Sequence, residues 1–157
     1  MAIQHIRQGE TAGLETLLAR GLPLDVRTSS GDSLLMLAAY HGRHATACTL
    51  LARGADPELR NNRGQSPLAG AAFKGDVAMV ELLVQAGADV NGSGPDGRTA
   101  LMYAAMFDRV AVIDTLLRLG ARADLRAADG STALQCAQAM SALRAAARLS
   151  DRASATP

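Results

Sequence analysis

The side chains best suited to metal or covalent chemistry in this 157-residue chain are three histidines, His5, His41 and His44, and two cysteines, Cys48 and Cys136. His41 and His44 fall on one connection between helical segments, and Cys48 follows on the next helix. A zinc-type centre needs several convergent donors, and two histidines on one loop do not make a set. A reactive thiol needs positive charge held beside it, and nothing in the sequence fixes a basic group next to Cys48. The glycine-rich stretch Asn91 to Gly97 lacks the lysine and the strand-to-helix setting of a phosphate-cradling loop. No catalytic residue, metal site or cofactor is therefore expected. A thiol- or metal-responsive role for Cys48 with His44 is the alternative from a different class. The other chemistry available is recognition, through arginines and a few aromatic rings.

Those rings and arginines are placed by a repeat. Gly31, Gly64, Gly97 and Gly130 lie 33 residues apart, and a second ladder, Gly21, Gly54, Gly87 and Gly120, has the same period. A unit of this length holds two short helices that cannot bury their apolar faces alone, so the units must stack. In the unit around Asn61, Ser66 offers a hydroxyl to open helical amides, Pro67 follows where its missing amide costs nothing, and Gly75 ends the helix. Asp76 is placed to cap a second helix whose apolar stripe includes Met79, Val80, Leu83 and Val84. Ser33, Thr99 and Thr132 repeat the first signal, and Ala38-Ala39, Ala71-Ala72 and Ala104-Ala105 repeat the close-packing pair behind it.

On these residues the chain resembles the ankyrin-repeat family. Gly64 to Leu68 is similar to that family's Gly-x-Thr-Pro-Leu opening, Ala71-Ala72 to its alanine pair, and Leu83 to Asn91 to its Leu-Leu-x-x-Gly-Ala-Asp-Val-Asn close. The resemblance, to small stand-alone bacterial arrays, implies an all-α ankyrin-repeat solenoid of stacked helix-turn-helix units with short β-turn fingers. The expected domain is 1–152, with an N-terminal cap at about 1–27, units at 28–60, 61–93 and 94–126, and a C-terminal cap at 127–152. Irregular chain is expected from Ser150 onward, with a disordered tail at 153–157. The family's histidine after Thr-Pro-Leu is replaced by Met36, Ala69, Met102 and Gln135, which shifts stability toward apolar packing. Asp108 stands where a left-handed glycine is expected, and Thr46-Ala47 replaces larger aliphatics, predicting a thinner core in that unit.

Composition narrows the function classes. The chain is 48% hydrophobic and 20% charged with a net charge of +1, and Lys74 is its one lysine. That balance lacks the basic footprint of a nucleic-acid binder. No apolar run reaches membrane-spanning length, the N-terminus lacks a secretory pattern, and two distant cysteines suit a reducing, cytoplasmic setting. The resemblance implies a protein–protein interaction module that binds on its concave face. In register, that face takes Tyr40, His41, Phe73, Lys74, Met106 and Phe107 after the alanine pairs, with Arg27, Arg60, Arg63, Arg98 and Arg126 on the fingers. Tyr103 and Cys136 read as core and Cys48 as exposed. One protein partner with an acidic rim and an apolar projection is expected, which the module would modulate, inhibit or position. The chain itself is expected to be a monomer, with self-association as a further alternative.

Overall fold

The computed structural model describes residues 1–155, and those residues form ten helices in five pairs. The pairs are α1 (Ala2–Gln8) with α2 (Thr11–Ala19), α3 (Leu34–Tyr40) with α4 (His44–Ala52), α5 (Pro67–Lys74) with α6 (Val77–Gln85), α7 (Ala100–Met106) with α8 (Val110–Arg118), and α9 (Ala133–Ala139) with α10 (Leu143–Ala155). First helices pack on first helices down the array, and second helices on second helices. Extended fingers connect the pairs, carrying isolated antiparallel bridges from Arg27 to Ser33 and from Ser93 to Thr99.

Helix starts follow the sequence signals. Ser33, Ser66, Thr99 and Thr132 accept hydrogen bonds from the amides of Met36, Ala69, Met102 and Gln135, and Gln135 returns the favour to the Thr132 amide as a full capping box. Asp76 caps α6 by accepting from the Met79 amide at 3.1 Å. Asp108 does adopt the left-handed conformation, with φ 58°. Its carboxylate also accepts from Arg144 Nε at 2.8 Å and from the Ala145 amide at 2.7 Å, tying α10 to the preceding unit.

The core is one continuous layer. Ala38, Ala39, Ala71, Ala72, Ala104 and Ala105 are fully enclosed between first helices, while Leu50, Leu83 and Leu116 fill the same place on successive second helices. In the thin unit, Thr46 and Ala47 are buried although small, and the Thr46 hydroxyl spans to that of Thr11 at 2.9 Å. Met36 and Met102 are buried where the family's histidine would stand. The cross-links between fingers come instead from the fingers themselves: the Asn62 amide donates to Ser30 O at 3.0 Å and the Ala128 amide to Asp96 O at 2.8 Å. These approaches require finger glycines. At Gly31 and Gly97 φ is positive, and an added Cβ would come within 2.8 Å of the Asn62 and Ala128 amide nitrogens respectively.

Two expectations are corrected. The chain from Ser150 is not irregular, because α10 continues to Ala155, and the expected tail at 153–157 begins on the last turn of that helix. No glycine follows Gly130 to stop it. Residues 156 and 157 lie outside the described residues. Tyr103 is not core: it is half-buried on the groove face described below.

Leu83→Ala should destabilise the fold by about 2–5 kcal/mol in chemical denaturation, because the middle of a stack cannot collapse onto the void. Acidification should expose the Asp108 contact. The Arg144 hydrogen bond, followed by the Ala145 amide, holds the Asp108 carboxyl below its ordinary 3.8. The stabilisation is therefore complete above that value and is lost as the pH falls through the lower folded-state value. Melting midpoints followed from about pH 5 to about pH 2 should fall further for the wild type than for Asp108→Gly, which keeps the turn but lacks the carboxylate.

Candidate functional site

A groove of about 370 Å³ opens between the fingers at 28–33 and 61–66 and the exposed sides of α3 and α5. Its formation follows from the stack. Alanine pairs on the inner sides of the first helices draw these helices together, and the next residues, at the helix C-termini, are left facing outward. Tyr40 is 43% exposed, more open than Phe73, Tyr103 or Phe107. It lies nearly parallel to Phe73, with centroids 6.2 Å apart and an interplanar angle of 12°. Phe73 meets Phe107 edge to face at 4.5 Å. Three successive units thus share one aromatic row, with contacts in the range where ring quadrupoles attract.

Positive charge borders this row. Lys74 Nζ lies 4.6 Å from the Tyr40 ring centroid, within cation–π range. The His41 ring stands edge-on to Tyr40 at 5.4 Å. Burial first, and then the charges of Arg7, Arg43 and Lys74, hold His41 below its ordinary 6.5, so near pH 7 it is neutral. Arg63 lines the groove. Among the described residues its guanidinium has no side-chain hydrogen bond, although its amide donates to Asn61 Oδ1 at 3.0 Å.

The expected arginines divide into two sets. Arg60 donates to Gly64 O at 2.9 Å and Arg126 to Gly130 O at 2.8 Å, each bracing its own finger turn. Arg27 donates to Arg60 O at 3.0 Å and so links two fingers. These three guanidinium groups are engaged in the fold and do not line the groove. Arg98 lies at 4.0 Å from Asp96, and Met106 packs half-buried against the core. Of the eleven expected residues, Tyr40, His41, Arg63 and Phe73 line the groove itself, while Lys74 and Phe107 extend its aromatic edge.

Register alone missed Tyr103 and Gly70. Tyr103 shares its repeat position with Leu37 and Cys136, both buried. The same position one unit earlier is Gly70, which has no side chain to cover the ring, so Tyr103 lines the groove. Its hydroxyl is pushed above its ordinary 10.0 by burial and by the Asp96 charge. A glycine inside a helix, with no left-handed turn to make, was the readable signal. The thiols sit elsewhere. Cys136 is buried and burial pushes its thiol up, away from nucleophilic chemistry. Cys48 is exposed on α4, and His44 Nε2 lies 2.9 Å from Asp76 Oδ1. Among the described residues no cluster of His, Cys, Asp or Glu is grouped to hold a metal ion, and no helix is long and apolar enough to cross a membrane.

The positive surroundings of His41 are measurable. In an NMR titration its ring should titrate below 6.5, and Lys74→Gln should move the midpoint upward. A midpoint indifferent to Lys74 would leave burial and the two arginines as its whole cause.

The recurring pairs, left-handed caps and bridged fingers agree with comparisons across the chain. A family model described as ankyrin repeats, in three copies, matches residues 2–93, 35–128 and 71–155. A segment of 40 residues is 58% identical to part of an ankyrin repeat protein of Pseudomonas aeruginosa, PA3287, over 26% of this chain and 23% of that protein. The match thus spans about a quarter of each, and supports the repeat more than any whole-protein role. With three overlapping copies of the repeat model running from Ala2 to Ala155, the chain belongs to the ankyrin-repeat family.

Proposed function

We infer that this chain is a non-enzymatic docking module that binds one protein partner through the aromatic row and the groove beside it. Ankyrin repeats are generally protein–protein interaction modules. The observation that carries the reading here is the row of Tyr40, Phe73 and Phe107, continuous over three units and open to solvent at Tyr40. Apolar rings on a water-facing surface gain most when a partner covers them, and aromatic residues dominate binding energy at such centres. Lys74, Arg63 and Arg98 on the rim favour a partner whose rim is acidic and whose centre projects an apolar group. Arg27, Arg60 and Arg126 keep the fingers in place, and their substitution would act on the scaffold before it acted on affinity.

The mode of action is occupation or positioning of the partner: of the hydroxyls in the groove, Ser66 caps α5 and Ser30 contacts Thr28, and among the described residues neither is hydrogen-bonded to His41. By analogy with small arrays of this kind, the module would inhibit, stabilise or assemble one protein rather than gather several. Two free cysteines suit a reducing compartment such as the cytoplasm.

Phe73→Ala combined with Phe107→Ala should weaken the complex by about 1–4 kcal/mol in calorimetry, with far-UV circular dichroism unchanged. The partner for that measurement is one captured by the wild-type chain and lost by the double variant. Unaltered affinity for a partner verified by direct binding would reject this face.

A further inference from the structure

The geometry points to a side-chain pocket at Gly70, which receives one leucine-sized apolar side chain from an extended, acidic segment of the partner. This deepens the docking reading and rests on it. Gly70 is the fourth residue of α5, donates an ordinary helical hydrogen bond to Ser66 O at 3.1 Å, and has no left-handed φ to justify a glycine. A Cβ built on it would meet nothing within 4 Å. Glycine in a helix interior is unfavourable relative to alanine, so the position sacrifices helix stability and leaves open space.

That space has shaped walls. The same repeat position carries Leu37 on one side and Tyr103 on the other, and Phe73 closes the end toward the aromatic row. The unit therefore lacks one side chain that its neighbours possess, and the groove is the vacancy between theirs. An incoming apolar side chain would make the contacts that a leucine at Gly70 would have made with Leu37 and Tyr103. The apolar lining comes from the helices and the polar lining mainly from the fingers, Asn61, Arg63 and Gln65 among it, so the polar groups can set the orientation of what the apolar ones receive.

Charge decides the flanks. Asp32 lines the groove, and its oxygens already accept from Asn61 Nδ2 at 2.9 Å and Thr28 Oγ1 at 3.3 Å, while the Asp96 carboxylate, bound by the Arg98 amide at 3.0 Å, acts on the Tyr103 hydroxyl at the other wall. Arg63 also lines the groove, its guanidinium without a side-chain hydrogen bond among the described residues, and Lys74 lies over the Tyr40 ring at its edge. Arg7, Arg43 and Lys74 together impose a positive field on His41 at the groove edge. A segment with carboxylates on either side of its apolar residue would complement that field, and a lysine-flanked one would be repelled.

The test uses the full chain, isotopically labelled for amide NMR, and three peptide probes: acetyl-Asp-Glu-Leu-Glu-Asp-amide, its alanine counterpart, and acetyl-Lys-Lys-Leu-Lys-Lys-amide. The acidic leucine peptide should shift the amides of Gly70, Phe73 and Tyr103, and bind about tenfold more tightly than the alanine peptide. The lysine peptide should bind more weakly than the acidic leucine peptide. Gly70→Leu should remove the leucine preference. Gly70→Ala should weaken it partly while raising the melting midpoint by about 2–4 °C, which keeps the comparison decisive if the leucine variant fails to fold.

Equal binding of the leucine and alanine peptides, or a leucine preference that survives Gly70→Leu, would overturn the pocket while leaving the aromatic row in place. Equal binding of the lysine peptide would overturn the acidic occupant. No shift at the groove with any peptide up to its solubility limit would overturn the pocket as a whole. Failure of the docking reading itself shows separately, in a partner complex indifferent to Phe73→Ala with Phe107→Ala.

Discussion

The close approach of the first helices over their alanine pairs is the contact on which the rest of this molecule depends. Ala38-Ala39, Ala71-Ala72 and Ala104-Ala105 are wholly removed from water. Their small side chains set the step from unit to unit, and everything displayed on the groove face inherits that step. With wider spacing, Tyr40 would not lie over Phe73 at 6.2 Å, nor would the Asn62 amide reach Ser30 O. The apolar layer between the helices supplies most of the free energy, since no single pair could bury its own face. The polar contacts at the fingers then fix orientation within a spacing that packing has already chosen.

The fingers show how the array manages without the family's histidine. Met36 and Met102 fill its place as buried side chains, so the hydrogen bonds between neighbouring loops must start elsewhere. Amide-to-carbonyl bonds between successive fingers, the Asn61 side chain on Asp32, and Arg27 on the carbonyl of Arg60 supply them. This division of labour has a consequence for recognition. Arginines that hold finger turns are bound to fixed carbonyls and can offer a partner only their exposed faces. Arg63 and Lys74 are not held by finger carbonyls, and their charges remain available at the rim.

Much of this was legible in the sequence because a period converts one reading into five. Helix caps, the left-handed Asp108, buried Cys136 and exposed Cys48 all follow from register with the sibling units. Register fails where exposure depends on a neighbour. Tyr103 has the backbone position of a buried residue, yet its ring is uncovered because the adjacent unit contributes only Gly70. It also fails in the last helix, where no glycine interrupts the chain after Gly130 and α10 continues to Ala155. The roles of Arg27, Arg60 and Arg126 were open for a third reason. Their spacing places them on fingers, but only the three-dimensional turn brings a carbonyl within reach of each guanidinium.

The same failures of register show where specificity can arise. A perfectly periodic array offers every partner segment several equivalent seats, so it can supply affinity without fixing an alignment. Discrimination needs positions that occur once. In this chain the buried layer keeps the period closely, while the groove face breaks it: Tyr40 and Phe73 give way to Met106 and Ala139 in the following units, and Leu37, Gly70, Tyr103 and Cys136 are four different answers at one repeat position. The gap itself falls in the central unit, which has packed neighbours on both sides. A partner aligned there would meet a unique sequence of ring, gap and charge, and a shift by one unit would replace the gap with Leu37 or Tyr103. The repeat thereby builds the wall, and its interruptions determine what can be seated against it.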